Sequence, residues 1–577
     1  MSSTFKITES TKHDLKKNIL IIKKLFNKLV DIYKYNFSND LIKLLIPRID
    51  INKINLFKNV VLEIIKDHNY INKLQNDFFQ ECLTLYHSKS NNNSEKACLL
   101  LKKYWLKILN SIVTANKKDK RKLTFYFNNW LDYLYKQKYL FENFTLNPNN
   151  IKTIQNNLLH NIKTCLTDLI INQGHIDIKF NNQTSFNIGN NVATSKGIII
   201  YKNDIMELIQ YFPINSNTFN APLLFIPPCI NKYYILDLSQ NNSLVKCLLE
   251  KGFSVYMISW VNPDASHANI TFSDYIINGP LQAIDIITKT SKSKVHLAGY
   301  CMGGTMLSCV LSYMQKTNDL RALSATHFMS LLDFSNFKNL NQDSLNKLEQ
   351  FINKIGYLDG RLLSMAFNIV HINELIWPYF INYYLFKQPL SNFDTLYWNC
   401  DPVNLTAKMY NFYLRTICFQ NKLSQPNAIT INGVGIDLSK ITVPIFAVAG
   451  EQDHISPFSM VYSSLNLYSL SYNKQFVLAN AGHVTGLVNS PINKQCSYKA
   501  ISENKINNLI TNDINYWLKN ATEYSGSWWT YWMNWLLKID STKRIRNSNS
   551  QTSIITSQTL QQDAPGSYIK KKLLSNV

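Results

Sequence analysis

The chain has little of what marks several large protein classes. No stretch of 18 apolar residues occurs, and the richest, Leu375 to Phe386, is broken by Pro378 and Asn382, so no transmembrane segment is expected. The opening Met1-Ser2-Ser3-Thr4-Phe5-Lys6 contains no apolar run, and no secretory leader is expected. The 10 cysteines include no C-x-x-C pair, which argues against disulfide staples and for a reducing, cytoplasmic setting. The 11 histidines form no ligand-spaced cluster, so no metal site and no cofactor is expected. Charged residues make up only 17% against 46% hydrophobic, which fits a globular chain and not a disordered one. Acidic side chains are scarce: 38 Asp+Glu against 60 Lys+Arg leave a net charge of +22. That surplus suits an anionic partner, whether nucleic acid, a membrane or granule surface, or a phosphorylated substrate. With no zinc finger and no RRM signature, nucleic acid is not expected. The many Lys, Asn and Ile residues equally fit biased codon composition.

A chain of 577 residues exceeds one ordinary core, so two or more domains are expected. Residues 1–185 read as a helical N-terminal domain. Leu15-Ile19-Ile22-Leu25 and Leu101-Tyr104-Ile108-Ile112 have helical spacing with lysines between. Asn91-Asn92-Asn93-Ser94 and Leu146 to Asn150 mark loops. The basic run Lys117-Lys118-Asp119-Lys120-Arg121-Lys122 reads as a solvated face. From 186 to 577 the character changes. Strands are expected at 197–201, 222–226, 253–260, 295–297, 325–331, 445–450 and 475–478, with helical patterns between several of them. That is the α/β signature of a mostly parallel sheet. The irregular, Tyr-, Phe- and Leu-rich stretch at about 332–438 reads as a lid inserted into that sheet. From about 540 the chain reads as a polar, extended arm. Just before it, 526–535 gathers Trp528, Trp529, Trp532 and Trp535. A buried amphipathic helix is the first reading of this segment, and a surface-binding patch the second.

The chemistry centres on His296-Leu297-Ala298-Gly299-Tyr300-Cys301-Met302-Gly303-Gly304, a G-x-S-x-G nucleophile elbow with cysteine in place of serine. A nucleophile on a sharp strand-to-helix turn needs glycines two before and two after it, so that backbone can pass closely. A Gly-rich turn around a structural cysteine would show the same five residues. The partners downstream favour chemistry. Asp453 follows the strand 445–450, and His483 follows the strand 475–478, which gives the hydrolase order of nucleophile, acid and base. Each element alone is ambiguous: a strand-end Asp often caps a helix, and a lone His is often structural. Three in order, each at a strand terminus, point to a Cys301–His483–Asp453 site on an α/β-hydrolase fold. His454 is a rival base through its adjacency to Asp453, but neighbouring side chains diverge, so its expected role is supporting. The oxyanion hole should draw on the backbone N–H of Met302 and of Ile230, in the 227–232 loop after the strand 222–226. Cys229 in that loop competes as nucleophile but lacks an elbow.

These residues resemble the polyhydroxyalkanoate synthases, most closely the class I poly(3-hydroxybutyrate) polymerase family. The similarity runs through Phe225 to Leu238, Ser259-Trp260-Val261-Asn262-Pro263-Asp264, Gly299 to Gly304, and Leu331-Leu332-Asp333-Phe334. It continues in Trp398-Asn399-Cys400-Asp401, Asp453-His454-Ile455, Gly482-His483, Gly526-Ser527-Trp528-Trp529 and Ala564-Pro565-Gly566-Ser567-Tyr568. It extends from about residue 105 to the end and is poor over the first ~90 residues. The resemblance implies that Cys301 carries the growing chain as a thioester, with His483 as base and Asp453 completing the triad. It implies condensation of (R)-3-hydroxyacyl-CoA into polyester with release of CoA. It also implies a homodimer on the surface of cytoplasmic polyester granules. Two other readings remain open: a Cys-triad hydrolase, either thioesterase or polyester depolymerase, and a non-catalytic granule-coat protein.

Overall fold

The structure, a computed structural model, describes residues 185–335, 342–364, 393–501, 513–545 and 562–573, with scattered helical positions between 21 and 168. Two compact units are present: Met1–Phe180 with Ala366–Ser391, and Asn181–Met365 with Asn392–Val577. In the first unit every described position is helical, with Leu74, Leu100, Tyr104 and Leu166 buried. Tyr104 packs edge-on against Phe78 at 5.2 Å and donates to Glu81, which also pairs with Lys103 at 2.9 Å. The Leu375–Phe386 run, the loops at 91–94 and 146–150, and the basic run apart from Arg121 lie outside the described residues.

The second unit is built on ten strands: β1 Gly197–Lys202, β2 Met206–Tyr211, β3 Leu223–Ile226, β4 Val255–Trp260, β5 Val295–Tyr300, β6 Ala322–Phe328, β7 Ile445–Gly450, β8 Lys474–Ala479, β9 Ser497–Ala500 and β10 Thr522–Ser525. Their spatial order is β1-β2-β4-β3-β5-β6-β7-β8-β9-β10. The six strands from β4 to β8 pair in parallel, and an antiparallel pair closes each edge. The central strands β3, β4, β5 and β7 are buried at every residue, which is why they read as unbroken apolar runs. The strands β2, β9 and β10, at or next to the edges, escape sequence reading. Met-Glu-Leu-Ile-Gln-Tyr has no clean alternation, and Ser497–Ala500 and Thr522–Ser525 are four-residue segments rich in polar side chains. β6 begins and ends three residues earlier than expected, because the chain turns at Met329, which has φ +46°.

The stretch expected to be irregular, 332–438, contains helices at Gln342–Ile355, Asp394–Asn399 and Ala407–Phe412, the last running on as a wider π-turn to Phe419. The last of these is walled by aromatic contacts, Phe272 with Phe412 at 5.2 Å and Phe334 with Tyr413 at 6.3 Å. A helix covered on several sides carries no clear polar stripe. The C-terminal arm also departs from expectation, since its described parts are docked. Lys543–Ile545 pairs with Asn217–Phe219. Residues 562–568 then return to the β1 edge. Ile199 N donates to Gln562 O and Ala564 N to Gly197 O, both at 2.9 Å. The fully covered carboxylate of Glu207 accepts the amides of Ser567 and Tyr568, each at 3.0 Å. The tail is polar in sequence because it docks through hydrogen bonds.

The tryptophan segment is the buried helix Trp528–Ile539, with Ser527 as its N-cap. It lies across the sheet. Trp528 and Trp532 pack on Phe328 at 5.2 and 5.1 Å, and Trp535 packs on Phe446 at 5.1 Å. Trp532 Nε1 donates to Thr326 Oγ1 at 2.9 Å. Among the described residues no helix is long and apolar enough to cross a membrane.

Candidate active site

Cys301 sits at the turn between β5 and the helix Met302–Lys316, with φ +52° and ψ −122°. A non-glycine residue there stores strain, and the flanking glycines show what enforces it. A Cβ on Gly299 would stand 2.6 Å from the Gly303 carbonyl oxygen. One on Gly303 would stand 2.0 Å from the Ile226 carbonyl oxygen, and one on Gly304 2.0 Å from Ser330 Oγ. The sequence spacing is therefore the space requirement of three backbones meeting: β5, the helix and the end of β3. The Met302 amide is at the first helical position, where an N–H has no intrahelical acceptor.

The acid arrives from β7. Asp453 lies three residues past Gly450, with its side chain fully covered. Its Oδ1 accepts the backbone amides of Ile455 and Ser456, both at 2.8 Å, and this fixes the plane of the carboxylate. The free Oδ2 accepts from His483 Nδ1 at 2.7 Å. His483 enters from the end of β8, as the first residue of the short helix His483–Leu487. Its ring lies against Tyr300 at 5.3 Å, and Ser456 Oγ stands 3.3 Å from Nδ1. Cys301 completes the row, close enough to the imidazole for its sulfur to favour the protonated ring. Burial alone pulls the His483 pKa down. The Cys301 sulfur and the Asp453 carboxylate outweigh it and hold the imidazole up at about 10, against an ordinary 6.5. A base oriented by a carboxylate, beside a sulfur nucleophile, can hand protons between a thiol, a leaving group and an attacking hydroxyl.

The structure thus brings Cys301, His483 and Asp453 together. His454 is solvent-exposed, and His483 is the histidine that Asp453 holds. The 227–232 loop carrying Ile230 also reaches the elbow: Cys229 Sγ lies 3.3 Å from Met302 Sδ. Cys229 and Cys418 both lie close enough to Cys301 to feel its charge. Burial pushes both of their thiols up, away from nucleophilic character. Of the three, Cys301 alone is partly open to solvent. Among the described residues, no group of three or more metal-ligating side chains stands together.

Several contributors are invisible in the motifs. Tyr413 reaches from the segment 407–419 to Thr305 Oγ1 at 3.4 Å and shields the elbow from one side. Thr305 spends its own proton on Leu331 O, so the phenol is the donor. Trp528 Nε1 donates to Gly486 O at 2.8 Å, and Trp529 Nε1 to Leu487 O at 3.0 Å. Asn489 takes the Trp528 amide at 3.1 Å. The tryptophan helix therefore satisfies the C-terminal carbonyls of the turn that starts with His483. The signal that could have revealed this is the pair Trp528-Trp529 directly after a Gly-Ser cap. Nothing local says which carbonyls the two indoles meet.

Comparison with known proteins adds the family. Residues 85–248 match the family described as Poly-beta-hydroxybutyrate polymerase (PhaC) N-terminus, and residues 222–490 match the alpha/beta hydrolase fold. The first match crosses position 185 and takes in β1 to β3. A poly(3-hydroxyalkanoate) polymerase of Methylorubrum extorquens is 34% identical over 72% of this chain and 68% of its own length. The poly(3-hydroxyalkanoate) polymerase subunit PhaC of Rhizobium meliloti (strain 1021) is 34% identical over 72% of this chain and 66% of its own. That of Cupriavidus necator is 32% identical over 80% of this chain and 77% of its own. A solved monoacylglycerol lipase of Paleococcus ferrophilus aligns at 13% identity over 49% of this chain and 98% of that one, with a TM-score of 0.29. Identity above 30% over most of both chains, with the N-terminal match to the same polymerase family, means that the chain belongs to the poly(3-hydroxyalkanoate) polymerases, acyltransferase-type enzymes on an α/β-hydrolase fold.

Proposed function

We propose that this chain polymerises (R)-3-hydroxyacyl-CoA, with 3-hydroxybutyryl-CoA as substrate, through an acyl group held on Cys301. The observation that carries the proposal is the row formed by Cys301, His483 and Asp453, in which the 2.7 Å contact from Asp453 leaves His483 free to serve the sulfur. Cys301 gives its proton to His483, and its Sγ attacks the thioester carbonyl. The oxyanion takes hydrogen bonds from the amides of Met302 and Ile230. The C–S bond to CoA breaks, and the leaving thiolate takes a proton from His483. In the second half His483 accepts the proton of the 3-hydroxyl of an incoming hydroxyacyl-CoA. Its oxygen attacks the Cys301 thioester, an ester forms, and the cysteine leaves as thiol. Attack of Cys301 on the extended CoA thioester then reloads the enzyme and releases one CoA per ester made.

Cysteine suits this cycle because thiolate attack on a thioester is nearly isoenergetic, and the stored acyl group stays reactive toward a hydroxyl. Water must be kept out, and the 332–438 stretch, with Tyr413 beside Thr305, acts as the lid. The surplus of basic residues attracts the phosphates of CoA. Residues 1–185 serve attachment and assembly, as part of a homodimer on the granule surface.

The test is incubation with (R)-3-hydroxybutyryl-CoA while CoA, polymer and free acid are followed. The expected result is CoA and polymer together, with an acyl adduct on Cys301 in the quenched protein by mass spectrometry. Free 3-hydroxybutyrate in step with CoA, without polymer, would make the chain a hydrolase. No CoA at all would leave the granule-coat reading.

A further inference from the structure

The turn at 227–232 carries Ile230, the second proposed oxyanion donor, yet it is neither strand nor helix until the short turn Tyr233–Leu236 begins. Its anchorage comes from residues 398–402, far along the chain. Trp398 Nε1 donates to Lys232 O at 2.7 Å. Asn231 and Pro402 pair as an antiparallel bridge. Lys232 Nζ meets Asp401 Oδ1 at 2.7 Å, with the two side chains 3% and 11% exposed. Tyr234 OH donates to Asp401 Oδ2 at 3.1 Å. The gripping segment is fixed at its other end as well, where Asp394 accepts from the Ser239 amide, the Ser239 hydroxyl and Asn242 Nδ2. The helix Asp394–Asn399 is thus stapled at both ends to the chain that follows β3, so within the proposed lid it is a fixed part that supports the oxyanion loop.

A buried ion pair is a poor device for stability, since an apolar pair of similar volume commonly does as well or better. Here the covering of Lys232 opposes its charge, and Asp401, at 2.7 Å, is what holds the ammonium in place. Such a pair calls for a reason other than packing. The place of this one supplies it, because the ammonium is two residues from Ile230, in a loop whose own sequence cannot set its position.

We propose that the Lys232–Asp401 pair is a positioning device for acyl transfer, holding the 227–232 turn so that the Ile230 amide faces the oxyanion formed at Cys301. The two residues act through Ile230 and not on substrate. The inference rests on the assignment of Cys301 and Ile230 made above.

The experiment compares full-length wild type with Lys232→Met, Lys232→Arg and Asp401→Asn. Loss of an oxyanion donor costs on the order of 10²–10³ in kcat, so a displaced donor should cost about 10–100-fold. KM for 3-hydroxybutyryl-CoA should be nearly unchanged. Alkylation of Cys301 by iodoacetamide, a displacement that forms no oxyanion, should stay near the wild-type rate. Lys232→Arg should recover most of what Lys232→Met loses. Equal losses of alkylation and acyl transfer would show a merely structural pair and overturn the proposal, as would an unchanged kcat. Should Asp401→Asn fail to fold by circular dichroism, Tyr234→Phe removes only the hydroxyl on Asp401 Oδ2. It should lower kcat severalfold, and an unchanged kcat there also refutes the pair. Wild type separates the two levels: if it releases no CoA, the acyl-transfer assignment falls and takes the pair with it. If wild type is active and the variants equal it, the pair alone falls.

Discussion

An Asp453→Asn substitution would keep the shape of the site while reversing one hydrogen bond. The Asn oxygen can still accept the amides of Ile455 and Ser456, which now reach Asp453 Oδ1 at 2.8 Å. The second position, 2.7 Å from His483 Nδ1, would become an NH₂ donor. His483 must then turn Nδ1 into an acceptor and carry its proton on Nε2, so it can no longer take one from Cys301. Loss of a charge-assisted hydrogen bond is worth about 1.5–3 kcal/mol, roughly 10- to 150-fold at neutral pH. The wrong tautomer can raise the effect on turnover toward ~10⁴. Single-turnover acylation of Cys301 should slow by at least the smaller factor, with the fold intact by circular dichroism. The pH dependence gives a second readout. The native state holds His483 above its ordinary 6.5, at about 10, through the Cys301 sulfur and Asp453 acting against burial. The proton on His483 therefore stabilises the native state fully below about 6.5, and that contribution disappears as pH rises through about 10. In Asp453→Asn the alkaline loss of stability should begin at lower pH, and the imidazole resonance should titrate lower. A folded variant with wild-type acylation and an unmoved His483 titration would refute the triad.

Cys301→Ala should abolish acyl labelling, while Cys229→Ala, which removes a buried thiol beside Met302, should keep it; the opposite pattern would move the nucleophile to Cys229. Gly303→Ala would place a methyl 2.0 Å from the Ile226 carbonyl oxygen, and overpacking against backbone should cost about 1–3 kcal/mol or more in a denaturant titration and disturb acylation; unchanged stability would contradict the elbow geometry. Trp528→Phe leaves the Gly486 carbonyl without its indole donor, at a cost of about 1–3 kcal/mol, and should slow acylation by loosening the His483 turn; equal melting temperature and rate would show that the indole is dispensable. His454→Gln, at an exposed position, should leave acylation within a fewfold of wild type; a loss as deep as that of His483→Gln would exchange the two histidines.

Much of the chemistry is legible in the linear sequence because an elbow is a local object. Gly299, Gly303 and Gly304 fall within six residues of one another because a Cβ on any of them would stand 2.6 Å or less from a neighbouring atom, so the spacing around Cys301 carries its own explanation. Asp453 and His483 are legible for a related reason: strands buried on both faces read as apolar runs, and loop residues at their ends stand at the edge of the sheet. The sheet order, the pairing of Asp453 with His483 while His454 faces solvent, and the docking of the polar tail on Glu207 were decided only in three dimensions. So were the grip of Asp401 on Lys232 and the indole hydrogen bonds behind the His483 turn. Each of these joins residues tens to hundreds of positions apart through hydrogen bonds or ion pairs. Such groups have many possible partners in sequence, and burial selects among them only once the core has formed.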